Sequence, residues 1–285
     1  MNVMKFGVPF LVALAYASPA ASAAPVLGSE LASFAVLGSS TVTNTGPTSL
    51  TGSLGVSAGS AITGFFGTVA NDGPGVFSGS AHQADAFAGT AQTQLGQAMT
   101  SLGLMGTGTA LGANLGGLTL TPGVYSFLSS AQLTGTLTLD GLGNANAFWV
   151  FEIPSTLTTA SGSTVSIVNT GADAGVFWNV GSSATLGSTT SFEGNILAST
   201  NITLVNGATM GCGGAFANTA AVIMDTNTVS TGCRGGLTVA APGDIAIALP
   251  FAPFAPIPEP EAYAMMLAGL GLLGWVGRRS NQQAV

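Results

Sequence analysis

The chain has 285 residues, of which 47% are hydrophobic and 5% charged, and its four Lys and Arg face eleven Asp and Glu for a net charge of −7. Between Ala24 and Ile257 there are nine carboxylates, one Arg (Arg234) and no Lys; this excludes nucleic-acid binding, because neutralising phosphates takes several cationic side chains, and it excludes attraction to an anionic membrane surface for the same reason. The same segment is rich in Val, Leu, Ile and Phe at regular spacing, enough to bury one sizeable core rather than remain disordered.

The N-terminus has a short positive region, Met1 to Lys5, an apolar stretch, Phe6 to Tyr16, and small residues from Ser18 to Ala24. This order is that of a secretory signal peptide. Ala21, Ser22 and Ala23 supply the small-x-small pattern that signal peptidase reads, so cleavage is expected after Ala23, with Ala24 as the alternative, and residues 1–23 are assigned to the signal peptide. The apolar run is too short to span a bilayer.

Residues Phe34 to Val56 are β-patterned. From Ala81 to Leu102 the pattern changes: Ala84, Phe87, Ala88, Ala91, Leu95, Ala98, Met99 and Leu102 recur at helical spacing. Ser80 with Gln83 three places later reads as a capping box, and Asp85 falls in the first turn. Gly89 and Gly96 each weaken the helix by about 1 kcal/mol, so packing must hold it. Its narrow Ala-rich face suits a long helix lying flat along one side of a solenoid.

Beyond it, short β-patterned runs repeat. Phe148, Trp149, Val150 and Phe151 resemble Val176, Phe177, Trp178 and Val180, with the two tryptophans 29 residues apart. Gly194 to Ala198 lines up with Gly214 to Ala217, and Leu186, Leu204 and Met224 follow at intervals of 18 and 20. Such a period, with three short runs per turn punctuated by Gly, Ser, Thr and Asn, is the signature of a β-solenoid; a sandwich of antiparallel hairpins is the alternative, although its repeats should not keep a coil-length register. Cys212 and Cys233 lie 21 residues apart, close to one coil, and in an exported protein the pair reads as a disulfide.

Ala241 to Ile257, with Pro242, Pro250, Pro253 and Pro256, reads as a Pro-rich spacer, residues 241–257. Pro258, Glu259 and Pro260, the apolar run Ala262 to Gly277, and the pair Arg278 and Arg279 then follow in order. Residues 258–280 resemble the PEP-CTERM sorting signal of Gram-negative bacteria, with a transmembrane helix expected over residues 262–277. The resemblance implies an exosortase that recognises the Pro-Glu-Pro element and removes the tail. The expected location is the cell envelope, anchored before processing, and then the cell surface or extracellular matrix.

The β-patterned section, the single long helix, Leu120, Thr121, Pro122, Gly123, Val124 and Tyr125, and coils such as Gly194, Asn195, Ile196, Leu197 and Ala198 together resemble the DUF3494 ice-binding proteins, with residues 24–240 as the domain. The resemblance implies a mainly β fold, a right-handed β-helix of triangular section with the helix alongside, whose first coil pairs with later ones across a gap in sequence. It also implies ice adsorption through one flat outer face.

The pleat nominates that face, since neighbours of an inward residue point outward. With Val42, Leu157, Leu186, Leu204 and Met224 inward, one row comprises Thr41, Thr156, Thr185, Thr203 and Ile223, and a second comprises Thr43, Thr158, Gly187, Val205 and Asp225. The threonines Thr41, Thr43, Thr156, Thr158, Thr185 and Thr203 are the ice-binding candidates. An enzyme is not expected: Glu152, Asp173, Glu193 and Asp225 are dispersed, although Glu152 and Glu193 can approach on neighbouring coils, and His82 and Arg234 are the only basic candidates in the domain. No cofactor or metal is expected. A structural or adhesive role in an exopolysaccharide matrix is the alternative function.

Overall fold

Runs of a few residues with apolar side chains at alternate positions cannot bury their inward side alone, so they must stack on one another. In the computed structural model, which describes residues 24–239, they form three parallel sheets of eight, nine and seven strands. Phe148–Ile153, Leu157–Thr159 and Thr164–Val168 succeed one another on the three sheets. The next coil, Gly175–Val180, Ala184–Leu186 and Ser191–Glu193, lies directly on them. The result is the expected triangular β-solenoid with one long helix.

The nine-stranded sheet is apolar on both sides because both are covered. Trp149, Phe151, Val176, Trp178 and Ile196 point into the solenoid core. Phe148, Val150, Phe177, Leu197 and Phe216 point outward and pack with Ala88, Ala91, Leu95, Ala98 and Leu102 of helix α1, Ala86–Gly103. Small residues on this helix face let its backbone approach the sheet. Gln92 Nε2 then reaches the carbonyl oxygens of Ala217 and Asn218 at 3.0 and 2.7 Å.

The helix starts later than its periodicity suggests. Residues Ala81–Gln83 form a strand paired with Ser53–Val56, Ala84 has φ 54°, and Asp85 caps the helix by accepting the Ala88 N–H at 2.8 Å. Ser80 and Gln83 therefore form no capping box: the Ser80 N–H donates to Ser53 Oγ, and the Gln83 side chain binds the Val69 N–H and the Ser60 carbonyl. Completing the sheet edge satisfies backbone groups that a longer helix would leave unpaired there.

Chain order and spatial order differ at one place. The strands Phe34–Gly38, Thr41–Thr45 and Ser49–Thr51 lie beside Ala215–Ala217, Val222–Asp225 and Thr228–Ser230. This seam joins the N-terminal coils to the last ones.

After Ser230 the chain is pinned across the coils. Cys212 and Cys233 are joined in a disulfide with Cα atoms 5.4 Å apart, and the Cys233 carbonyl accepts the Asn195 side-chain amide at 2.8 Å. Thr238–Val239 pairs antiparallel with Ala24–Pro25, so both ends of the described segment meet. Replacing both cysteines by Ser should lower unfolding stability by about 3 kcal/mol, the order expected for opening a loop of this length; urea titration under non-reducing conditions checks it, and an unchanged midpoint would refute it.

The expected signal peptide (1–23), spacer (241–257) and sorting signal (258–280) lie outside the described residues. The expectation of a transmembrane helix is corrected: no helix among the described residues is long and apolar enough to cross a membrane, and the run 262–277 on which the expectation rested lies outside them.

Candidate functional site

Helix α1 covers one sheet, and among the described residues no element covers the other two. The seven-stranded sheet runs, in spatial order, through Ala131–Leu133, Leu157–Thr159, Ala184–Leu186, Ile202–Leu204, Val222–Asp225, Thr41–Thr45 and Ala61–Thr63. No register shift interrupts any of its six pairings. Ala131, Leu157, Ala184, Ile202, Val222, Val42 and Ile62 form one buried column on its inner side.

The next position outward gives the central row Gln132, Thr158, Thr185, Thr203, Ile223, Thr43 and Thr63. The residues preceding the buried column, among them Thr156, Ser183, Asn201, Ala221 and Thr41, form a side row. Its hydroxyls pair locally: Thr156 Oγ1 donates to Ser130 Oγ at 3.0 Å, and Ser183 Oγ lies 2.8 Å from Thr200 Oγ1. Neither row carries a charge. Asp225 stands at the margin, in register with Thr45, where its Oδ1 accepts the Thr226 hydroxyl.

This register corrects the rows expected from the sequence. Thr156 and Thr41 are not in line with Thr185 and Thr203; Thr158 and Thr43 are. For Thr156 and Thr158 the cause is the tryptophan alignment, because Trp149 pairs with Val176 and Phe151 pairs with Trp178; for Thr41 and Thr43 it is the seam, where Val42 pairs with Val222 rather than Met224. A slip of one residue would expose the core, but a slip of two preserves which side chains face inward, and alternation alone cannot detect it. Leu186, Leu204 and Met224 do share one row, as their spacing suggests.

The eight-stranded sheet carries a second hydroxyl row, absent from the candidates expected from the sequence: Thr136, Thr164, Ser191, Thr209, Thr228 and Ser49. The same alternation around Leu137, Val165, Phe192, Met210, Val229 and Leu50 was available to find it. This face is neither flat nor neutral. Its register shifts between Phe192 and Glu193, and a groove opens there against Thr164, Ser191, Glu193 and Gly211.

The acids do not assemble a catalytic pair. Glu152 is on the helix-covered sheet and Glu193 on the eight-stranded one. His82 Nδ1 lies 2.7 Å from Asp85 Oδ2, and its ring stacks on Phe87 with centroids 4.5 Å apart. Glu193 approaches the two cysteine sulfurs, but those sulfurs are bonded to each other and offer no thiolate.

Burial pushes the Glu152 carboxyl from its ordinary value of 4.5 up to about 7, against the opposing hydrogen bond from Asn179. One Glu152 oxygen accepts that amide at 2.8 Å and the other has no partner among the described residues. Burial also raises Glu193. For a carboxyl raised on folding, the stabilising contribution is full below the unfolded value and is lost as pH rises through the folded one. The melting temperature should therefore fall between about pH 5 and pH 8, and Glu152→Gln should flatten that fall; a wild-type profile that rises across this window would contradict the assignment.

The chain matches the family model described as Ice-binding-like over residues 36–230 and the PEP-CTERM protein-sorting motif over residues 256–280. It is 55% identical over 202 residues to the ice-binding protein of Nostoc sp. (strain HG1), covering 70% of this chain and 72% of that one. Among solved structures, it is similar to the ice-binding protein of the Antarctic ascomycete Antarctomyces psychrotrophicus, with TM-score 0.65 and 35% identity over 73% of this chain and 98% of that chain. An ice binding protein from an Antarctic Biological Consortium gives TM-score 0.67 and 35% identity over 81% of this chain and 96% of that chain.

Proposed function

The chain belongs to the ice-binding-like family, and from that premise we propose that it adsorbs to ice through the seven-stranded open face, with Thr43, Thr158, Thr185 and Thr203 in its central row. The supporting observation is the unshifted register that stacks these threonines on a sheet that none of the described residues covers. Thr presents a methyl and a hydroxyl at fixed χ1 on a strand. Repeated about every 4.7 Å from coil to coil, these groups can hold water in an ordered layer that merges with the crystal. A charge would instead bind its own hydration shell and break the layer, so the neutrality of both rows belongs to the same design. No covalent chemistry is involved, in keeping with a non-catalytic family.

The PEP-CTERM motif marks the protein for exosortase-mediated sorting outside the cytoplasm, at the cell envelope, in a manner typical of Gram-negative bacteria. We propose further that signal peptidase cleaves after Ala23 and that Pro258, Glu259, Pro260, Arg278 and Arg279 serve recognition and processing of the tail. The final location would then be the cell surface or extracellular matrix. The same tail favours a second reading, adhesion to exopolysaccharide, which is compatible with ice binding.

The test is recrystallisation inhibition and ice-crystal shaping by the purified protein, beside its retention on exopolysaccharide. Shaped crystals without polysaccharide retention support the first reading. A folded protein that leaves ice untouched and binds polysaccharide supports the second.

A further inference from the structure

Along the corner between the two open sheets runs a set of buried polar side chains that ice adsorption does not itself require. Asn227 Nδ2 donates to the carbonyl oxygens of Val205 and Ala208, both at 3.0 Å, on the preceding coil. Its Oδ1 accepts the Asp225 N–H at 2.7 Å, and its own N–H donates to Thr48 Oγ1 at 3.0 Å across 179 residues of sequence. The Thr48 hydroxyl donates in turn to Asn44 Oδ1, and Asn44 Nδ2 donates to the carbonyls of Gly46 and Gly64 at 2.9 and 2.8 Å. Asn227, Thr48 and Asn44 are only 1, 1 and 6% exposed.

We infer that Asn227, Thr48 and Asn44 are positioning residues that set the register of the seam and so bring Thr43 and Thr63 into line with Thr158, Thr185 and Thr203. The inference rests on the ice-binding reading of that face. Within each run of consecutive coils, a short connection limits how far one strand can slide on the last. No such connection links Val222–Asp225 to Thr41–Thr45. Apolar burial cannot supply the missing specification, because a two-residue slip keeps every inward side chain inward. The buried Thr48 hydroxyl can, since it accepts the Asn227 N–H across the seam while it donates to Asn44 Oδ1, the two asparagine side chains hold its partners in place on either side, and each wrong register leaves these polar groups unpaired in the core.

Thr48→Val removes the hydroxyl that joins the two asparagines while keeping the side chain's shape, and Asn227→Leu removes the larger set. In Thr48→Val, amide hydrogen exchange in residues 41–51 and 222–230 is expected to rise about tenfold, with Phe148–Ile153 and Gly175–Val180 unchanged. Recrystallisation inhibition, measured well below the melting temperature on protein that is fully folded by circular dichroism, is expected to weaken about fivefold, a loss that reduced stability alone would not cause at that temperature. Thr48→Ser should restore both. Parental exchange and parental activity in Thr48→Val would overturn the inference. An inactive parent would defeat the ice reading instead, and the exchange measurement would still judge the seam.

Discussion

Thr185→Tyr and Thr203→Tyr are each expected to weaken recrystallisation inhibition by about tenfold or more, the equivalent of at least about 1.4 kcal/mol of adsorption free energy. Both positions lie in the middle of the central row, in register with each other and with Thr158. A phenol there stands above the plane of its neighbours and lifts the face from a flat crystal surface, whereas Tyr is well tolerated on a strand, so the fold should persist. The register makes a sharper demand: Thr158→Tyr should match Thr185→Tyr, while Thr156→Tyr, off that row, should cost less. Ser191→Tyr and Thr209→Tyr on the eight-stranded sheet should leave activity unchanged. If those two variants lose activity and Thr185→Tyr does not, the ice-binding face has been placed on the wrong sheet.

Trp178→Ala should destabilise the protein by about 3–5 kcal/mol, the range for a large aromatic removed from a core that cannot collapse. Trp178 is fully buried, its ring lies parallel to Phe151 at 3.9 Å between centroids, and Phe192 packs 5.0 Å away. Its Nε1 donates to the Glu193 carbonyl at 3.1 Å, so truncation also removes a partner from that oxygen. Relaxation is limited because Phe151 and the following coil are fixed by their own parallel pairings. Chemical denaturation followed by circular dichroism measures the loss; a change below about 1 kcal/mol would show that the stack does not carry the coil it sits in.

Particular residues mark how far the sequence could be read. The three-run period and the shared row of Leu186, Leu204 and Met224 follow from alternation and coil length, which are local properties of a strand. The helix was legible from its small apolar face, but its start was not, because pairing of Ala81–Gln83 with Ser53–Val56 is a long-range interaction. The threonine candidates were recognisable as outward residues, yet their grouping into rows was off by two at Thr41, Thr43, Thr156 and Thr158. For Thr156 and Thr158, two aromatic repeats offered nearly equal alignments, and ring stacking between Phe151 and Trp178 selects one of them; for Thr41 and Thr43 the register is set by a pairing between segments far apart in the chain.

The sequence by itself determined that the chain is acidic and built from short strands on a coil-length repeat, because charge, alternation and turn residues are fixed residue by residue. Tertiary structure alone decided which threonines stand in line, which sheet the helix covers and where the N-terminal coils dock. Those depend on register between segments far apart in the chain, and inward–outward alternation repeats every two residues, so equally well-buried registers are separated only by the shapes and hydrogen bonds of side chains that meet after folding.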